Sequence, residues 1–189
     1  MTNKKEAQTQ AGERKERQAG IAAAMRATWP LIKIYLLFGV VLLAFFTITM
    51  IKPVYFGVIL PFNNFLAWSS RQALHLFGSG QVTGSGAIIS QPGFAIDIAE
   101  GCNGIYALAI VVAGIVAFPA PWRPKLTGLS LAVILIMVLN YVRIITLWYA
   151  GAAESFIFDT MHLYVWEFII IALGGAFWYF WYEKAVKKR

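Results

Sequence analysis

Charge, cysteine and histidine are scarce in this chain. Only 13% of its 189 residues are Asp, Glu, Lys or Arg, and it holds one cysteine, Cys102, and two histidines, His75 and His162. A lone cysteine excludes an intramolecular disulfide framework. Two histidines and one cysteine at scattered positions make a poor metal site, so neither metal nor cofactor is expected. No G-x-S-x-G elbow for a serine hydrolase is present: Gly128-Leu129-Ser130-Leu131-Ala132 lacks the last glycine and lies inside an apolar run. No phosphate loop appears either, and Gly84-Ser85-Gly86 reads as turn material.

Apolar residues fill the space that charge leaves. They make up 59% of the chain, with 15% aromatic, and several runs reach the roughly 20 residues that cross a bilayer as a helix. The fold class expected is therefore an all-α integral membrane protein, with spans at 31–51, 102–118, 126–149 and 163–182. Of the 16 Lys and Arg, 13 fall in 1–33, 123–125 and 184–189, leaving Lys52, Arg71 and Arg143 elsewhere. The positive-inside rule then places both termini in the cytoplasm, and 52–101 and 150–162 outside. The net charge of +7 thus sets topology; it is not a nucleic-acid footprint. Residues 1–26 read as a basic cytoplasmic tail, mobile or loosely helical, and 27–189 as one polytopic membrane domain. The first span is too long for a cleavable signal and lacks a small-x-small site. Cys102 lies too far along the chain to be a lipoprotein cysteine.

Between the first two spans the pattern changes twice. In 53–77, Phe62, Phe65, Leu66, Ala73, Leu76 and Phe77 recur near helical spacing, with Asn63, Asn64, Arg71 and Gln72 between them. That predicts an amphipathic helix on the outer leaflet, begun by Pro61. Further on, Phe94, Ile96 and Ile98 alternate with Ala95, Asp97 and Ala99 beside Gln91-Pro92-Gly93, which predicts a β-hairpin.

Three polar side chains then fall at one depth. Cys102 heads the second span, in Glu100-Gly101-Cys102-Asn103-Gly104; Arg143 stands near the outer end of the third; His162 begins the fourth. A thiolate is the nucleophilic form of cysteine, and helix N-termini and cations favour it. A guanidinium inside an apolar helix is costly unless it is paired or lines a polar cavity, so it points to a role as oxyanion stabiliser or to an ion pair. Histidine titrates near neutrality and exchanges protons readily. Asp159, three residues before His162, is placed to orient the ring, and Glu167 to face inward and pair with Arg143. His75 has no such companion. Gly114, Gly151, Gly174 and Gly175 are candidates for close helix approach.

The order of hairpin, Glu-Gly-Cys-Asn-Gly-Ile, Asn140-Tyr141-Val142-Arg143-Ile144 and a histidine before the last span resembles the exosortase/archaeosortase family. The resemblance covers about residues 53–182. It implies a membrane cysteine protease/transpeptidase with Cys102, Arg143 and His162 as its catalytic trio, and Asn103, Asn140, Asp159 and Glu167 in support. Its substrates would be exported proteins carrying a short motif, a hydrophobic helix and a basic tail. It also implies a bacterial inner-membrane location, a site on the external face, and an acceptor linked to lipid or glycan. Many members carry Ser or Thr where this chain has Asn103, and many have about eight spans against the four read here. The short length is similar to the compact exosortases that serve Ile-Pro-Thr-Leu signals. Two non-enzymatic readings stay open on the residues alone: a small membrane scaffold, with Cys102 packed and Arg143 paired, and a solute carrier using Arg143 and Glu167 as intramembrane charges.

Overall fold

A helical bundle carries a small hairpin at one end. The computed structural model describes residues 2–99 and 101–187, and side chains in full from Ala23 onward; Met1, Glu100, Lys188 and Arg189 lie outside the described residues, as do many side chains before Ala23. Helix α1 (Thr2–Thr49) is continuous. The expected tail is therefore the first half of a long helix, of which Ala23–Thr49 is apolar enough to cross a membrane. It packs along helix α4 (Ile105–Ala117), with Phe46 and Tyr106 at 5.0 Å between ring centroids.

The chain turns at Met50 and Ile51 into α2 (Lys52–Val54), a π-helical turn Tyr55–Ile59, and α3 (Leu60–Leu76). Pro61 lies in the first turn of α3, where a missing backbone N–H is tolerated, and the preceding π turn runs into it. The expected facing is revised. Asn63, Leu66, Ala67, Ser70 and Leu74 are the buried residues, while Phe65, Trp68, Leu76 and Phe77 point outward. Exposed rings suit a helix that meets lipid, while Asn63 and Ser70 turn inward to protein.

The hairpin is as expected. Strands β1 (Ile88–Gln91) and β2 (Phe94–Asp97) pair antiparallel with Gln91 opposite Phe94, and Gly93 takes φ 84° in the turn between them. A proline followed by a residue of positive φ fits a type II turn. Ile96 and Ile98 are buried while Ala95, Asp97 and Ala99 are exposed, the alternation read in the sequence. Arg71 clips the hairpin to α3 by donating to the Ile88 carbonyl at 2.6 Å.

Three further helices complete the bundle. Helix α4 (Ile105–Ala117) has 13 residues, about 20 Å at the helical rise, and is shorter than a full crossing. Helix α5 (Trp122–Ala153) is followed by α6 (Ser155–Thr160), a π turn Met161–Val165 and α7 (Trp166–Tyr182), with α6 to α7 running on as one apolar helix to Lys187. Among the described residues three helices are thus long and apolar enough to span a membrane, and α4 is a shorter apolar one. Glycines bring them close. A Cβ at Gly114 would stand 2.7 Å from Trp178 Nε1, and one at Gly128 would overlap the Trp181 ring. Gly174 lies against Val111, whereas Gly175 faces open space and contributes no close approach. One apolar cluster joins α3, the hairpin, α5 and α7 around Leu66, Ile98, Trp148 and Trp166; a second joins α4, α5 and α7 around Ile115, Ile136 and Trp181.

Candidate active site

Cys102 stands outside the helix that the sequence assigned to it. It lies in a turn whose N–H donates to the Ala99 carbonyl at 3.1 Å, and α4 starts three residues later. Gly104 causes the delay. It takes φ 77°, a left-handed conformation, and a Cβ there would lie 3.2 Å from Asn140. The absence of a side chain thus solves two problems at once.

Asn103 fixes the turn from both ends of its amide. Its Oδ1 accepts the Ile105 N–H at 3.0 Å, satisfying an orphan donor at the start of α4, and its Nδ2 donates to Asn63 Oδ1 at 3.0 Å. A serine or threonine here could accept the first bond but not reach for the second. Asn63, on the inward face of α3, is a site-supporting residue that sequence reasoning missed. Its only signal was a polar side chain at a position that packing required to be buried.

His162 meets Cys102 directly, with Nε2 and Sγ 2.9 Å apart. The histidine is carried on the π turn Met161–Val165; such turns shift the helical phase and recur at functional sites. The ring is oriented by stacking on Phe158, at 5.5 Å between centroids and 5° between planes. Phe158 is met edge-on by Phe94 of the hairpin, whose ring packs on Gly151. Asp159 is exposed and makes no hydrogen bond to His162, so the orienting role expected of it falls to Phe158.

Arg143 is buried, at 4% exposure. Its Nη1 lies 3.8 Å from Glu167 Oε2, and its Nε has no hydrogen-bond partner among the described residues. Glu167 is the expected ion-pair partner, but its side chain is 58% exposed rather than turned inward. Asn140, one helical turn before Arg143 and fully buried, has no partner for either amide atom among the described residues. Unsatisfied buried polar atoms are costly and rare. Tyr141 sets the rotation of α5 by hydrogen bonding Ser69 of α3.

Electrostatics at the thiol run against the sequence expectation. Burial pushes Cys102 above the ordinary thiol range; the Arg143 charge pulls it down, and Glu167 and Asp97 push it up. The thiol is half-buried and stands ahead of α4 rather than within its first turn. Burial thus favours the neutral thiol beside His162, against the pull of Arg143.

Cys102, Arg143 and His162 thus meet at one end of the bundle, with Asn103, Asn140 and Glu167 around them and Asp159 outside. Comparison with curated proteins and with solved structures gives no match. A family model described as transmembrane exosortase matches residues 19–179, most of the chain. With its spanning helices and its hairpin, the chain is a multi-pass membrane protein that belongs to the transmembrane exosortase family.

Proposed function

We propose that the chain is a cysteine transpeptidase that cleaves exported proteins beside their own C-terminal membrane helix. The observation that carries this reading is the 2.9 Å approach of His162 Nε2 to Cys102 Sγ next to a buried arginine. His162 accepts the thiol proton as Sγ attacks the peptide carbonyl, which suits a thiol that burial keeps protonated. Arg143 faces the developing oxyanion. Its Nε makes no bond within the described protein, and its weak pairing with Glu167 leaves the guanidinium fork able to turn. His162 then returns the proton to the leaving amine, giving an acyl-thioester on Cys102. An acceptor amine or hydroxyl, or water, releases the acyl group and restores the thiol. Asn140 holds the substrate backbone with its unpartnered amide.

The site lies where spanning helices end, and that is where a bond just outside a substrate's membrane helix would arrive. The distribution of Lys and Arg supports a site outside the cytoplasm with both termini inside, and membership of the exosortase family favours a bacterial inner membrane. The test is processing, in cells, of a tagged protein that ends in a hydrophobic helix and a basic tail. Wild type should shorten it, and Cys102→Ala, Arg143→Ala and His162→Ala, at matched membrane levels, should leave it intact. Unchanged processing by Cys102→Ala ends the proposal.

A further inference from the structure

We propose that the cleft between the start of α5 and the end of α7 binds an anionic glycerophospholipid. The cleft encloses about 590 Å³ and is lined by Arg123, Thr127, Leu131, Phe177, Phe180 and Lys184, among others, a size in the range of small-ligand pockets. Its two cations come from different helices. Among the described residues neither has an acidic partner. Lys125 beside them is committed elsewhere, donating to the Val116 carbonyl at 2.8 Å. The indole of Trp181 packs on Gly128, and its Nε1 donates to the Pro124 carbonyl at 2.8 Å, so the wall behind the cations holds no spare donor.

Polarity changes along the cleft as it does along a lipid. Arg123 and Lys184 stand at the helix ends, beside the exposed ring of Trp122, a residue type that marks the headgroup level. Leu131 lies about 12 Å further into the span along α5, and Phe177 about 10 Å along α7 from Lys184. Phosphate between the two cations would leave an acyl chain against Leu131, Phe177 and Phe180. The cleft is also remote from the thiol, because Arg123 and Arg143 are separated by about 30 Å along α5. A peptide helix ending in a basic tail would set cations against Arg123 and Lys184, so like charge disfavours that occupant. A zwitterionic lipid brings a cation of its own, and is disfavoured in the same way.

The experiment is native mass spectrometry of the purified full chain, titrated with phosphatidylglycerol, with phosphatidylcholine, or with phosphatidylglycerol in the presence of inorganic phosphate. The wild-type chain should take phosphatidylglycerol with at least a tenfold preference, and equimolar phosphate should not displace it. Arg123→Gln/Lys184→Gln should erase the preference while keeping wild-type helical content by circular dichroism. Arg14→Gln/Arg17→Gln, which removes the same charge elsewhere, should keep it. Equal binding of the two lipids overturns the proposal, as does a preference that survives in the cleft variant. Displacement by phosphate would make this a free-anion site, and tighter binding of a synthetic basic-tailed helix would make it a peptide groove; either result also overturns it.

Discussion

At the scale of single residues the account turns on which state of Cys102 reacts. The chain has one cysteine, so any thiol reagent reports on that site alone. Burial raises the thiol and Arg143 lowers it. The pH profile of iodoacetamide alkylation should therefore have its midpoint above the ordinary thiol range, and Arg143→Gln should move it higher still. A midpoint well below that range would mean a standing thiolate–imidazolium pair, contrary to the general-base reading. His162→Ala should cost processing about 10²–10⁴-fold, and Arg143→Gln about 10²–10³-fold through the lost oxyanion partner. Comparing initial rates at matched protein levels checks both. The trio was legible in the sequence because each member is a rare polar type at a costly position in an apolar chain. Asn103, Asn140 and Glu167 came with the family resemblance, but the contacts that hold them did not. Nothing in the spacing shows that Asn103 is bonded to Asn63, or that Phe158 rather than Asp159 orients His162.

At the scale of elements, the site depends on how two backbone devices aim their side chains. The left-handed Gly104 holds Cys102 ahead of α4, and the π turn Met161–Val165 presents His162 to it. Gly104→Ala meets both an unfavourable φ and the Asn140 side chain. It should lower processing at least tenfold, while a tagged variant still reaches the membrane at wild-type levels. Asn63→Ala leaves the Asn103 amide buried without its acceptor, which should cost about 1–3 kcal/mol. A detergent melt read against wild type measures that loss. The hairpin was legible because period two and a Pro-Gly turn are local signals. The facing of α3 was not, because the exposed side of a membrane helix meets lipid. There, periodicity shows two faces without showing which one turns inward, and the buried face proved to carry Asn63 and Ser70.

At the scale of the whole molecule, the spans were legible as apolar runs, but their ends were not. Helix α1 continues through the charged segment to Thr2, and α4 is shortened by Gly104 at one end and by Pro119 and Pro121 beyond the other. The candidate site and the basic cleft lie toward opposite ends of α5, which sets a topological expectation. A membrane-impermeant maleimide added to cells with a permeable outer envelope should label Cys102. Lys187→Cys in a Cys102→Ala background should label only after the inner membrane is opened. The reverse pattern would invert the assigned topology.

The claim on which everything else rests is that Cys102 forms a bond to the substrate. The direct measurement is the intact mass of the purified chain after incubation with a substrate protein and no acceptor. The account predicts an adduct of the substrate fragment N-terminal to the cleavage point, localised to Cys102 by peptide mapping and released by hydroxylamine as a thioester should be. It should be absent with Cys102→Ala. Cleavage of the substrate with no adduct on Cys102, or cleavage undiminished in Cys102→Ala, would contradict it.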